Sequence, residues 1–141
     1  MLEQFSFVQR FRVVLSDVDM LRHVNNAAYV RWLETIRSEY FAEVLLGEIA
    51  GEQGIIMAKL TIDYELPLQY RERVAIGCKV SRVGSKSFDF QYEVWSDDRK
   101  QRSAHAVTTV VTINYHTGKT IHVPEAWRAA IAKHEIAGFP S

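Results

Sequence analysis

The chain of 141 residues is short of several features that would place it in a specialised class of protein. Its single cysteine, Cys78, cannot form an internal disulfide, which fits a reducing compartment. No hydrophobic run approaches the roughly eighteen apolar residues that a membrane-spanning helix needs. The segment from Met1 to Arg10 also lacks the apolar core of a signal peptide. We therefore expect a cytoplasmic protein that does not bind a membrane.

An excess of charge of one sign is also missing, because 17 lysines and arginines balance 17 aspartates and glutamates. Without a general basic field we expect no binding of nucleic acid, and an anionic ligand would need a local basic cluster. No Gly-x-Ser-x-Gly motif, phosphate-binding loop or dinucleotide fingerprint occurs. The five histidines show no ligand-like spacing, so we expect neither a metal nor a cofactor.

The most informative segment present runs from Ser16 to Tyr29, SDVDMLRHVNNAAY. It places two acids, a histidine and two asparagines immediately before a long amphipathic segment, Tyr29 to Leu46. Acids and amides destabilise a fold unless they find partners, whereas the free N–H groups of a helix start suit a polarised substrate. Asn25 or Asn26 is the predicted N-cap of this helix, and Gly47 its predicted end.

The pattern elsewhere predicts strands and one short closing helix, Pro124 to Ala132. The predicted strands are Phe7 to Leu15, Ile55 to Leu66, Val74 to Val83, Phe88 to Trp95 and Ser103 to Tyr115. Such long strands beside one long helix favour a single α+β domain over residues 1–141, with a curled antiparallel sheet of about five strands wrapped around that helix. Both faces of the last strand are apolar and one helix covers only one face, so we expect a homodimer or homotetramer.

The motif Asp-x-Asp-x-x-x-His-Val-Asn-Asn-Ala-x-Tyr before an apolar helix resembles the hotdog-fold thioesterases of the 4-hydroxybenzoyl-CoA thioesterase type. Pro-Leu-x-Tyr within Tyr64 to Arg73, Gly-Ser-Lys-Ser-Phe at 84–88 and a late Pro-Glu are similar to that family too. The resemblance runs from about Phe7 to Ala130. It implies the hotdog fold and hydrolysis of an acyl-CoA thioester to a carboxylic acid and free CoA.

The resemblance also implies roles for individual residues. The family's catalytic carboxylate corresponds to Asp19, and the backbone N–H that polarises the thioester carbonyl corresponds to Asn26. A helix N-terminal N–H is well placed to receive the charge that builds on the carbonyl oxygen, and a carboxylate can act as nucleophile or general base. His23 either orients Asp19 or a water molecule, or is an ordinary turn histidine. Leu21 stands where related acyl-carrier-protein thioesterases have an asparagine.

Further residues are candidates for substrate binding. Asn25 is expected as a cap or turn residue, and Tyr29 either packs in the core or lines the acyl pocket. The turn that contains Arg82, Lys86 and Ser87 resembles the region with which the family holds the nucleotide phosphates of CoA. A solvated hairpin is the alternative for this turn.

Three charged residues are expected to have structural roles only. Asp17 would tie the turn to backbone N–H groups, and Glu34 with Arg37 would form a surface pair on the long helix. Two other functions stay open. One is a non-catalytic acyl-thioester binding module, and the other is a hotdog dehydratase or hydratase that acts on enoyl thioesters.

Overall fold

Six strands and two helices make up the part of the chain that the computed structural model describes, residues 2–46 and 51–135. The strands are β1 (Phe7–Arg12), β2 (Gln53–Tyr64), β3 (Arg73–Val83), β4 (Ser87–Ser96), β5 (Gln101–Asn114) and β6 (Lys119–Thr120). The helices are α1 (Asn26–Glu43) and α2 (Glu125–Glu135), and Leu2–Gln4 and Leu15–Asp17 form short 3₁₀ turns. Within these residues no helix is both long and apolar enough to cross a bilayer.

The strands form one antiparallel sheet in the order β1-β3-β4-β5-β2, with β6 paired to β5. Helix α1 packs against it and buries an apolar stripe whose members recur at helical spacing, among them Leu33, Ile36 and Tyr40. The ring of Tyr40 meets Phe90 of β4 edge-to-face, with 5.3 Å between the ring centroids. This arrangement confirms the predicted α+β architecture of a sheet with one long helix packed against it.

One predicted boundary near the polar turn differs from the structure. Strand β1 ends at Arg12 rather than Leu15, because the Val13 N–H bonds to the Glu72 carbonyl (2.9 Å) and the chain then bends. Leu15, the last residue of the predicted strand, is 70% exposed. Helix α1 begins at Asn26 after the N-cap Asn25, one of the two predicted caps. Gly47, the predicted helix end, lies outside the described residues.

A buried carboxylate fastens the loop between β2 and β3 to the turn between β4 and β5. Glu72 is 8% exposed and accepts hydrogen bonds from Arg99 at both oxygens, with Nε–Oε2 2.7 Å and Nη2–Oε1 2.9 Å. The Ser96 hydroxyl and the Gln69 N–H also donate to it. Arg99 Nη2 further donates to the Pro67 carbonyl (2.7 Å). The loop is thus held at both of its ends.

This loop in turn holds the polar segment that precedes α1. The Leu68 carbonyl accepts the Val24 N–H (2.8 Å), and the Val13 carbonyl accepts the Arg71 N–H (3.1 Å). The position of the polar turn therefore depends on the loop that Glu72 anchors.

We predict that Glu72→Gln lowers the free energy of unfolding by about 2 kcal/mol at pH 7, because it removes the charged partner of Arg99. Burial alone would raise the pKa of the Glu72 carboxyl, but hydrogen bonds from Arg99, Ser96 and the Gln69 N–H hold it below its usual value. Urea denaturation measured between pH 7 and pH 3 tests the prediction.

The sign of the pH dependence follows from the lowered pKa. The folded protein binds this proton less readily than the unfolded chain, so the carboxylate stabilises the fold above the unfolded pKa of about 4.3. That stabilisation is lost as the pH falls through the folded pKa, and Glu72→Gln should flatten the pH dependence in this range. Glu65→Gln is the matched control, since Glu65 pairs with Arg102 at the surface and should contribute less than about 1 kcal/mol. Equal losses in the two variants would contradict the prediction.

Candidate active site

The polar turn before α1 is closed by its own backbone. Val18 and Val24 form an isolated antiparallel bridge, and the Asp19 N–H donates to the His23 carbonyl (3.1 Å). Between these ends the Arg22 N–H donates to the Asp19 carbonyl (3.0 Å), and Arg22 adopts the left-handed region with φ 68°. The turn therefore presents residues 19–23 as a small, fixed loop.

The Asp19 carboxylate is oriented by this loop. Its Oδ1 accepts the Leu21 N–H at 2.9 Å, which is the geometry of an Asx turn. Its Oδ2 accepts no hydrogen bond from the residues that the structure describes. One oxygen thus fixes the group while the other is available to a substrate or to water.

The start of α1 leaves the Asn26 N–H open within the described residues. Asn25 is the N-cap, and its Oδ1 accepts the Ala27 N–H at 2.8 Å. The Ala28 N–H donates to the Asn25 carbonyl at 2.9 Å. The Asn26 N–H has no acceptor within residues 2–46 and 51–135. This N–H lies at the positive end of the helix dipole.

A cavity of about 480 Å³ opens at this end of α1. Five residues singled out in the sequence line it together: Asp19, His23, Asn25, Asn26 and Tyr29. The rest of the wall comes from the same turn and from the end of β2 with the following loop: Leu21, Val24, Tyr64, Glu65, Leu66 and Pro67. The free N–H and the oriented carboxylate therefore share one solvent-accessible space.

Tyr29 forms part of the buried floor of the cavity, with 2% of its surface exposed. The Ser103 hydroxyl donates to the Leu66 carbonyl (2.6 Å), so the Tyr29 hydroxyl is the donor in its 2.9 Å bond to Ser103 Oγ. Burial raises the pKa of Tyr29, which keeps the hydroxyl protonated. The Tyr29 ring therefore packs in the core, and its hydroxyl donates to Ser103 rather than to a ligand.

The family model of the Thioesterase-like superfamily matches residues 13–131, which include the whole cavity wall. The chain belongs to this superfamily.

Three known proteins illustrate the likeness. The uncharacterized protein YsmA of Bacillus subtilis (strain 168) is 30% identical over 88 residues, which span 62% of this chain and 60% of that protein's length. The PA5185 protein of Pseudomonas aeruginosa PAO1 is 24% identical with a TM-score of 0.85, over 95% of this chain and 94% of the other. A Thermus thermophilus thioesterase complexed with coenzyme A and Zn is 26% identical with a TM-score of 0.83, over 94% and 96%. The likeness confirms the predicted hotdog fold.

Tyr64 is a cavity residue of this superfamily member that the sequence patterns did not single out. Its hydroxyl donates to the Asn26 carbonyl (3.1 Å), and its ring packs edge-to-face on Tyr29 at 5.0 Å between centroids. The contact fixes the first turn of α1 to the end of β2. The available signal was an aromatic residue at a strand end, within the segment that already resembled the family.

The two remaining polar side chains of the turn differ in their surroundings. Asp17 is buried, accepts the Val14 N–H at Oδ2 (3.2 Å) and pairs with Arg31 (3.4 Å), which confirms its predicted structural role. The His23 side chain is exposed and makes no hydrogen bond within the described residues, so it does not hold Asp19 in this state.

The predicted phosphate-binding turn has its own internal pairing. Arg82 binds both oxygens of Asp89, at 2.9 Å and 3.1 Å, and its Nη2 donates to Ser87 Oγ (3.2 Å). These bonds hold the pKa of the Asp89 carboxyl below its usual value. Lys86 is exposed and makes no side-chain ion pair within the described ranges.

This turn lies at the other end of the sheet from the cavity. Ser87 faces Val111 of β5, which pairs with Ile56 of β2, whereas Tyr64 beside the cavity lies eight residues further along β2. At the rise of a β-strand these eight residues span about 26 Å. Within one chain the structure therefore does not bring Arg82, Lys86 and Ser87 to Asp19 and Asn26.

The described residues contain no cluster of potential metal ligands. Among residues 2–46 and 51–135 no group of three or more histidines, cysteines, aspartates and glutamates could hold a metal ion.

Proposed function

We propose that this protein is an acyl-CoA thioesterase, which hydrolyses an acyl-CoA thioester to a carboxylic acid and free CoA. The observation that carries the proposal is the open Asn26 N–H beside the oriented Asp19 carboxylate in one cavity. Membership of the Thioesterase-like superfamily supports it. The likeness to a Thermus thermophilus thioesterase crystallised with coenzyme A supports CoA as the thiol carrier.

The geometry suits the charge changes of thioester hydrolysis. The thioester oxygen would accept the Asn26 N–H, which is preorganised for the negative charge that develops there. Asp19 Oδ2 would then act in one of two ways. As a nucleophile it attacks the carbonyl carbon, expels the thiolate and leaves an anhydride that water hydrolyses; as a general base it takes a proton from water, whose oxygen attacks. The thiolate leaves without needing a strong general acid.

We predict that Asp19→Asn lowers kcat for acyl-CoA hydrolysis by at least about a thousandfold, because the amide neither attacks nor accepts a proton effectively. The Asn side chain still accepts the Leu21 N–H, so the fold of the turn is retained. A thiol-release assay across short, long and aromatic acyl-CoAs measures the effect and reveals the preferred acyl group.

His23→Ala is the control for Asp19→Asn, since the exposed imidazole makes no hydrogen bond or ion pair with Asp19 and its loss should cost less than tenfold. Undiminished turnover by Asp19→Asn would remove Asp19 from the mechanism. Saturable acyl-CoA binding by the wild type without thiol release would favour a binding module instead. Hydration of crotonyl-CoA would favour the hydratase alternative.

The oxyanion donor can be tested although it belongs to the backbone. Asn26→Pro removes the N–H at the first helical position, where proline is favoured because its fixed φ suits a helix start. Asn25 has φ −63° and ψ 138°, a conformation that the residue before a proline adopts readily. Asn26→Ala keeps the N–H and removes only the exposed side chain.

We predict that Asn26→Pro lowers kcat by about 10²–10³-fold, while Asn26→Ala stays within tenfold of the wild type. Thermal melts of both variants check that the helix start is intact. Equal activity of the two variants would show that another group stabilises the oxyanion.

A second copy of the chain would complete the binding site. Strand β2 forms one edge of the sheet, is twelve residues long and exposes Ile56 and Met57, which makes it a template for pairing with another chain. The outward face of β5 also exposes Val107. Only a partner could bring the basic turn around Lys86 to Asp19, because about 26 Å separates the two ends of the sheet. The working form we propose is a cytoplasmic homodimer or homotetramer.

We predict that light scattering gives a mass of two or four times the 16.2 kDa of the chain. Ile56→Lys should shift the population towards the monomer, because a charge on the paired edge opposes association. Leu15→Lys is the control, since it charges an exposed leucine outside the edge strand. A monomeric wild type at all concentrations would contradict this assembly.

A further inference from the structure

A second cavity lies between α1 and β2, nearer to the C-terminal end of the helix. Its volume is about 300 Å³, towards the lower end of the range for small-molecule sites. Apolar side chains form much of its wall: Phe41, Ile55, Met57 and Val110. Among the described residues Arg37 is the only basic residue that lines it, and Glu34, Ser38 and Tyr115 contribute polar groups to the same wall.

Arg37 is buried rather than part of the expected surface pair with Glu34. It is 8% exposed, and its Nη1 donates to the Tyr92 hydroxyl at 3.2 Å. That hydroxyl also bonds to Thr108 Oγ1 at 2.8 Å. Within residues 2–46 and 51–135 no carboxylate forms an ion pair with Arg37.

An unpaired buried guanidinium is costly, because arginine stays charged in proteins and loses its hydration on burial. Arg37 offers five N–H donors and uses only the Nη1 donor towards Tyr92. Its other nitrogens are not among the fully enclosed polar atoms that lack a partner. They therefore keep some access to solvent, and Arg37 is one of the residues that line the cavity.

Glu34 and Glu135 do not form an ion pair with the Arg37 guanidinium within the described residues. Glu34 also lines the cavity, and its side chain is exposed. Glu135 is fully buried and accepts the Tyr40 hydroxyl (2.9 Å) and the Val80 N–H (2.7 Å). Neither approaches Arg37 within ion-pair distance in the described part of the chain.

We propose that this cavity binds a carboxylate joined to an apolar body, with Arg37 as its anchor. A carboxylate accepts two parallel N–H bonds from a guanidinium, and such bonds are stronger where water is excluded. The apolar walls receive the rest of the ligand. Charge and packing select an apolar acid over a neutral molecule of the same shape.

Such a carboxylate has two possible sources, a free carboxylic acid or the far end of an acyl group bound at the thioester site. The second source rests on the proposed function. Thr108, beside the Arg37–Tyr92 bond, pairs with Leu60 of β2, and Tyr64 at the first cavity lies four residues further along that strand. Four residues of β-strand span about 13 Å, which a dicarboxylic acyl chain can bridge.

Calorimetric titration with decanoate tests the site without any need for turnover. We expect the wild type to bind decanoate at least about tenfold more tightly than decanamide, as a charge-assisted pair predicts. Arg37→Met should abolish this difference. Tyr92→Phe, which removes the hydroxyl partner and keeps the cation, should retain it.

Thermal melts check that each variant folds. If Arg37→Met does not fold, Arg37→Lys replaces it, and we expect that variant to show a reduced but measurable preference for decanoate over decanamide. Equal affinity of wild type and Arg37→Met for decanoate would overturn the proposal. Absence of saturable decanoate binding to the wild type at millimolar concentration would overturn it too.

Thiol release from the monothioester of decanedioic acid with CoA, compared with decanoyl-CoA, separates the two sources. A wild-type preference in kcat/KM for the diacid thioester that Arg37→Met removes assigns the site to the substrate's far end. No such preference, with Arg37-dependent decanoate binding, assigns it to a free acid. Lack of release from every acyl-CoA would refute the proposed hydrolysis and leave the binding result standing.

Discussion

The carboxylate of Glu72 is the group on which the geometry of the candidate site depends. It accepts hydrogen bonds from Arg99, Ser96 and the Gln69 N–H, and so fixes the loop that follows β2. That loop accepts the Val24 N–H and thereby sets where the polar turn meets α1. Removing one partner from a buried charge is strongly destabilising, so these bonds favour a single arrangement of the loop. The order needed at Asp19 is thus supplied from about fifty residues away in sequence.

Local chemistry explains why much of the fold was predictable. The N-cap role of Asn25 is an interaction between residues two apart, so the sequence contains everything needed to expect it. Helical spacing predicted α1, and alternation with turn residues predicted the four long strands to within a few residues. Strand β6 is only two residues long and has no pattern of its own. The early end of β1 depends on a backbone bond from Val13 to Glu72, which no local pattern contains.

The residues that the sequence analysis missed or misassigned all depend on contacts between segments that are far apart in the sequence. Tyr64 reaches Asn26 across 38 positions, and Ser103 reaches Tyr29 across 74, so their roles exist only once the sheet is assembled. Glu34 and Arg37 are three residues apart, and that spacing alone suggests a surface pair. The sheet prevents this surface pair, because Arg37 is buried and donates a hydrogen bond to Tyr92 of β4, whereas Glu34 is exposed. Burial of a charged side chain is a tertiary property that helical spacing does not encode.

The chain has no net charge, and most of its arginines with a structural role are paired with an acidic residue. Arg99 pairs with Glu72, Arg82 with Asp89 and Arg102 with Glu65. These contacts neutralise much of the positive charge locally, so each of these arginines attracts an anionic ligand less than an unpaired arginine would. Arg37 differs because its only bond is to a neutral hydroxyl within the described residues. A ligand carboxylate would supply the charge that the protein itself does not, in a cavity where the low dielectric makes that pairing strong.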